Sequence, residues 1–278
     1  MFRIIRNNKD QTSSSLTVVN EGGILAETQD IGLFKIGKKE IGIAVEGEPL
    51  RFERKPLIRE GHLLVPFRPL FEKLGLQVEW NDQERSVTGR KEGTEIRLSV
   101  DSTLAVINDM EISLPAEPQI FEDSLYVPLR FVGEAMQLEV EWDGVNREVR
   151  VGRPEQLAKQ AVLRFLMHLE QGDDYKATHD LSESGLSIVE RSPALAPYFM
   201  RKQWKNDVTS IQAEAYGTST YMVKTKQRNR SYDFAEIFDQ VQENWYQVVR
   251  TDEGQWKLKD SDLFQMTSIF GNAAGGKP

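Results

Sequence analysis

The sequence predicts an α+β protein: a small antiparallel-sheet domain built from two repeats, followed by a second α+β domain. Three observations predict it. The stretch LLVPFRPLFEKLGLQVEW, from Leu63 to Trp80, returns as LYVPLRFVGEAMQLEVEW, from Leu125 to Trp142, sixty-two residues later with no gap. A strongly amphipathic stretch opens at Pro154. A run of alternating segments then closes the chain, the last two flanking a turn at Asp252-Glu253-Gly254. A chain of 278 residues with 39% hydrophobic content is long enough for more than one core.

Residues 1 to 40 read as a loosely ordered leader. Asn7 to Ser15 is polar, glycines interrupt short apolar pieces, and strands are expected only at Leu16 to Val19 and Gly32 to Ile36. The repeat domain spans 41 to 152, with copies at 45–100 and 101–152. The offset pairs Pro56 with Pro118, Val65-Pro66 with Val127-Pro128, Arg68 with Arg130, Glu72 with Glu134 and Val78-Glu79-Trp80 with Val140-Glu141-Trp142. One supersecondary unit is therefore used twice. In each copy a short strand (Leu63, Val65; Leu125, Val127) leaves a turn at Glu60-Gly61 or Glu122-Asp123 and ends at Pro66 or Pro128, because proline cannot donate to a ladder. Leu70, Phe71 and Leu74, and Phe131, Val132 and Met136, then have helical spacing, with Arg68/Glu72 and Arg130/Glu134 placed to pair at i,i+4. Gly75 stops the first helix and Gln137 takes its place in the second. The strands that follow end on Trp80 and Trp142, which the apolar alternation puts in the core. A lone unit of this size exposes an apolar face, and a second copy covers it.

Pro154 suits the first position of a helix, and Leu157, Ala161, Phe165 and Leu169 give that helix one apolar face up to Gln171-Gly172. A short helix is expected around Tyr175 to Leu181, then an irregular region with Pro193 and Pro197. Strands are expected at Val208 to Tyr216, Thr220 to Arg228, Trp245 to Arg250 and Gln255 to Asp260. The second domain spans 153 to 270, and 271–278 reads as a frayed tail.

Composition narrows the function. A net charge of −8 disfavours nucleic acid and anionic membranes as partners. The absence of cysteine excludes disulfides and thiol catalysis. No apolar run is long enough for a membrane span, and Met1 to Asn20 has no signal-peptide core. His62, His168 and His179 are too scattered to predict a copper site, so no metal or other cofactor is expected. Asp173, Tyr216, Tyr221, Tyr246 and Asp260 offer acid–base groups, but their spacing picks no pair, and no catalytic residue is assigned.

The VP-x-R and VEW segments resemble the two halves of the copper amine oxidase N-terminal domain, also called the stalk domain, over about Val45 to Gly152. The resemblance implies a small antiparallel sheet wrapped on short helices, of a kind that recurs in exported and cell-wall-associated proteins of Gram-positive bacteria. It brings no catalytic residues. The helix from Pro154 to Gln171, the small helix near Tyr175 and the hairpin from Trp245 to Asp260 resemble the NTF2-like superfamily, which implies a curved sheet and helix enclosing a cone-shaped pocket. The resulting expectation is a non-catalytic binding or spacer module, extracellular or at the cell surface, whose partner is a cell-wall polymer or another envelope protein. The alternative is a cytoplasmic or exported small-molecule binder or enzyme with its pocket in the second domain. Lys224, Lys226, Arg228 and Arg230, two apart on one strand, are the candidate binding row. Pro66, Arg68, Trp80, Pro128, Arg130 and Trp142 are the structural positions of the repeat.

Overall fold

A computed structural model describes residues 3–9, 13–20, 23–28, 40–191, 204–232 and 237–261. The chain divides into two compact units, Met1–Glu40 and Ile41–Pro278. The first holds a three-stranded antiparallel sheet of β1 (Arg3–Lys9), β2 (Ser13–Asn20) and β3 (Gly23–Thr28). β2 contains the strand expected at Leu16 to Val19. The strand expected at Gly32 to Ile36 lies outside the described residues, as do the prolines at 193 and 197 and the tail.

In the second unit every element of the first copy recurs sixty-two residues on. The first copy runs β4 (Gly42–Val45), β5 (Glu48–Pro49), β6 (Leu57–Arg59), β7 (His62–Pro66), α1 (Phe67–Lys73), β8 (Gln77–Asn81) and β9 (Ser86–Lys91). A linking strand, β10 (Thr94–Ser99), leads to the second copy. That copy runs β11 (Leu104–Ile107), β12 (Met110–Ser113), β13 (Gln119–Phe121), β14 (Ser124–Pro128), α2 (Leu129–Ala135), β15 (Glu139–Asp143) and β16 (Glu148–Gly152). The backbone repeats as closely. Glu60-Gly61 and Glu122-Asp123 both place two consecutive residues at positive φ, the conformation of a tight hairpin turn. Gly75 and Gln137 both take the left-handed conformation just past their helices.

The copies exchange strands. β14 pairs antiparallel with β7 with Val127 opposite Val65, so two equivalent residues face each other and a pseudo-twofold axis passes between them. This central sheet has the order β13-β14-β7-β6. Around it, β11 and β12 of the second copy extend, through β10, the sheet that carries β8 and β9 of the first. In return β4 and β5 of the first copy extend the β15–β16 hairpin, with β4 parallel to β16. Neither copy completes its sheet alone, which is the physical content of the duplication. Both Val65 and Val127 are buried at the axis, in one cluster with Leu70, Phe71, Leu98 and Val132. The packing is complementary rather than identical. Phe71 presses on Gly89, where a Cβ would come within 2.7 Å of the ring, whereas at the equivalent positions Gly133 lies against Val151.

Trp80 and Trp142 depart from expectation: they are 36% and 39% exposed. Their strands, β8 and β15, are the outermost of their sheets, so a side chain near the strand end packs on one flank only.

The rest of this unit is α3 (Pro154–Gln171), α4 (Asp174–His179), α5 (Glu183–Arg191) and an antiparallel sheet in chain order, β17 (Trp204–Ala215), β18 (Thr220–Tyr232), β19 (Ile237–Arg250) and β20 (Trp256–Ser261). Gly172, at φ 65°, ends α3 as expected. β17, β18 and β19 outrun the expected strands because their ends are polar, as in Gln227–Tyr232, and hide the alternation. α5 was not anticipated; Gly185 lets it lie on β20, since a Cβ there would come within 2.5 Å of the Leu258 carbonyl. Leu157, Ala161, Phe165 and Leu169 of α3 face Tyr246, Val248, Trp256 and Leu258 in a second apolar cluster. The class is α+β: among the named strands only β4 and β16 pair in parallel.

The ring-on-glycine contact makes a direct prediction. Gly89→Ala should cost ~1–3 kcal/mol by forced overpacking, and Phe71→Leu in the same chain should recover part of it. Urea denaturation measures both; a Gly89→Ala midpoint equal to wild type would contradict the packing described.

Candidate functional site

Three places concentrate chemistry, and the first is a buried ionic junction. On β15 and β16 the face turned away from the repeat core carries Glu141, Asp143 and Arg150, where the first copy has Glu79, Asn81 and Thr88. Glu79 lies in water and pairs with Arg90 at 2.6 Å. Glu141 is only 2% exposed, because α3 packs against β16 on this face and brings Arg164 up to it. Arg150 reaches Asp143 at 2.8 Å, Glu148 at 2.6 Å and Glu141 at 3.6 Å. From the facing side Arg164 of α3 donates to Asp180 at 2.5 Å and to the Trp256 carbonyl at 3.2 Å, and lies 3.8 Å from Glu141. The second oxygen of Asp180 is 2.6 Å from His168 Nδ1. Two bonds reinforce the seam: the Trp256 indole donates to Glu139 at 2.9 Å, and the Gln255 amide to the Trp142 carbonyl at 2.7 Å.

Burial pushes the Glu141 carboxyl up, against the pull of Arg164 and Arg150. Burial also disfavours the charge on Arg164, but Asp180 and Glu141 outweigh it and hold the proton more tightly than usual. For Asp143, burial is outweighed by the Asn146 backbone and side-chain amides and by Arg150, which hold it well below the carboxylate range. Glu141 Oε2, Arg150 Nη1 and Arg164 Nη1 have no hydrogen-bond partner. The space beside them is only ≈20 Å³, room for about one water.

The second place is an apolar groove of ≈340 Å³ between the copies. Ile41, Ile58, Leu63, Leu129, Val140 and Trp142 line it, with His62 and Arg130 as polar groups.

The third is the outer face of β18. Lys224, Lys226 and Arg228 are exposed there, alternating with buried Val223, Thr225 and Gln227. Arg230 is half-buried and paired with Asp207. Trp245 stands opposite Lys224 and Glu243 opposite Lys226, and with Ser210 and Gln212 they line a groove of ≈430 Å³.

The other positions singled out from sequence have local roles. Pro66 and Pro128 stand at the N-caps of α1 and α2, and the exposed pairs Arg68–Glu72 and Arg130–Glu134 span 3.9 and 3.7 Å. Asp173 caps α4 by accepting from the Lys176 amide, Tyr221 packs edge-on against Trp256, and the buried Tyr246 hydroxyl bonds Gln227. Tyr216 is exposed. The three histidines stay apart: His62 in the groove, His168 on Asp180, His179 against the Tyr175 ring. Among the described residues no group of three or more metal-binding side chains converges. Sequence reasoning missed the ionic junction. Two signals pointed to it: Arg164 interrupts the apolar stripe of α3, and the change from Asn81 and Thr88 to Asp143 and Arg150 introduces opposite charges on neighbouring strands.

Residues 44–151 match the family model of the copper amine oxidase N-terminal domain, so the resemblance of the paired motifs holds for that segment. A curated relative, a "Protease inhibitor" of Brevibacillus choshinensis, is 28% identical over 131 residues, 46% of this chain and 37% of the relative; the match thus spans little more than a third of the relative's length. A solved structure, a putative ketosteroid isomerase from Shewanella frigidimarina, aligns with 38% of this chain and 92% of its own at 14% identity and a TM-score of 0.33.

Removing the central cation should be costly: Arg164→Leu leaves Asp180 and Glu141 buried without it, and is expected to destabilise by ~3–5 kcal/mol in urea denaturation. Asp143→Asn should destabilise at pH 7. Because the native carboxyl lies below its ordinary value of 3.8, its stabilisation is present above that value and decays as pH falls below it. The gap between Asp143→Asn and wild type should therefore narrow on acidification below that value; a gap independent of pH would contradict the assignment.

Proposed function

We propose that this chain is a non-catalytic binding and spacer protein of the Gram-positive cell envelope, with the repeat domain as stalk and the outer face of β18 meeting an anionic wall polymer. The observation that carries the reading is the contrast between closed and open places. The buried acid–base groups sit in a network with room for about one water, while the open grooves among the described residues include an apolar one between the copies and one on the lysine-bearing face of β18. Lys224, Lys226 and Arg228 give an acidic protein a local run of cations, with Glu243 opposite Lys226, which a polyanion can approach at low salt. The family match over 44–151 supports a stalk, and the name of the Brevibacillus relative fits binding rather than chemistry.

A second reading has one observation in its favour. Thr225, Gln227 and Asn244 are buried polar groups in the β17–β20 sheet, and both amide atoms of Asn244 lack a hydrogen-bond partner. A small molecule held in the second domain would satisfy the Asn244 amide.

The test is sedimentation with purified Gram-positive cell walls. Wild type should be retained at low salt and released at high salt, and a variant with Lys224, Lys226 and Arg228 all changed to Ser should not be retained. Equal retention of both proteins would remove β18 from the account, and no retention of wild type at low salt would contradict direct wall binding.

A further inference from the structure

The internal repeat provides its own template for the groove between the copies. In the first copy α1 opens with Phe67, whose ring meets Phe71 edge-on at 5.9 Å, and the Arg68 guanidinium lies 5.5 Å from the centre of that ring. The second copy has Leu129 and Gly133 at the positions of Phe67 and Phe71, and the ring that α2 does carry, Phe131, is buried in the core. The groove lies at Leu129 and Arg130.

We propose that this groove is a docking site for an aromatic side chain of a partner polypeptide, seated where the first copy seats Phe67. Charge complementarity favours a ring: Arg130 presents a cation to the negative face of an aromatic, as Arg68 does to Phe67. Its surface pair with Glu134, at 3.7 Å, is weak enough to yield. Trp142, half-exposed on the same lining, adds an aromatic surface for offset or edge contact. Its carbonyl accepts from Gln255, which holds its backbone and lowers the ordering cost of binding. The size of the partner follows from the rim. Ile58 is 60% exposed at the groove's edge, and a lone small ring would leave it in water where a polypeptide covers it. The site is independent of β18, so wall binding and ring docking stand or fall separately.

The experiment titrates blocked glycine pentapeptides with one central phenylalanine, leucine or alanine into the full chain. The readout is the Trp142 indole resonance, assigned with Trp142→Phe. The phenylalanine peptide should saturate the shift and bind about two- to tenfold tighter than the leucine peptide, the range expected for one aromatic contact. Leu129→Phe, which builds in the ring of the first copy at a buried position, should abolish binding, and its urea midpoint checks that the chain still folds. Arg130→Gln, at an exposed position, should bring the phenylalanine and leucine peptides toward equal affinity. No shift, no preference for phenylalanine, or unchanged binding in both variants would overturn the proposal. Benzyl alcohol binding as tightly as the peptide would overturn the polypeptide as occupant.

Discussion

Arg164 rises from the apolar stripe of α3 into a space with almost no water, where it bonds Asp180 and faces Glu141 across the seam. A buried cation of this kind is tolerable only with its anions in place, and those anions come from both lobes of the second unit: Glu141 from β15 and Asp180 from the end of α4. Their positions depend on further partners, Arg150 behind Glu141 and His168 behind Asp180. The ionic seam therefore fixes which face of the β15–β16 hairpin is covered, and with it the side of the repeat domain left open. The groove edged by Trp142 lies on that uncovered side, and its rim is held from behind through Glu139 and the Trp142 carbonyl.

Duplication explains both the strength and the asymmetry of the repeat domain. The pseudo-twofold at Val65 and Val127 lets each copy complete the other's sheet by exchanging a hairpin. Once the backbone symmetry is set, side chains diverge in compensated sets. Phe71 on Gly89 answers Gly133 against Val151 in the core. On the outside, solvated Glu79 with Arg90 answers buried Glu141 with Arg150 and Arg164. One copy has Phe67 under its arginine, and the other has the smaller, buried Leu129 beside the groove. The copies thus share a backbone and differ in what they present: one faces water, the other faces the second lobe and a groove.

The elements of the repeat were legible because they rest on local signals: VP at each strand end, glycine or a polar residue at each positive-φ turn, and apolar spacing in each helix. The helix from Pro154 to Gln171 was legible for the same reason. What local pattern does not encode is the partner of each face. The parallel pairing of β4 with β16 joins residues 106 positions apart, and nothing in GIAV announces it. Trp142 ends an apolar alternation as a core residue would, but edge position decides exposure and comes only from sheet order. The charges at the seam read as surface residues because Glu79, their counterpart, is one. Lys224 to Arg230 all lie on β18; that Arg230 pairs with Asp207 required the register of β17.

If the seam joins the two lobes into one body, they should open together. Segment-resolved hydrogen exchange in rising urea tests this directly, comparing amides of β7 and β14 at the pseudo-axis with amides in the centre of α3. Both sets should lose protection with the same opening free energy and the same dependence on urea. Opening of α3 at lower urea while β7 and β14 stay protected would contradict it.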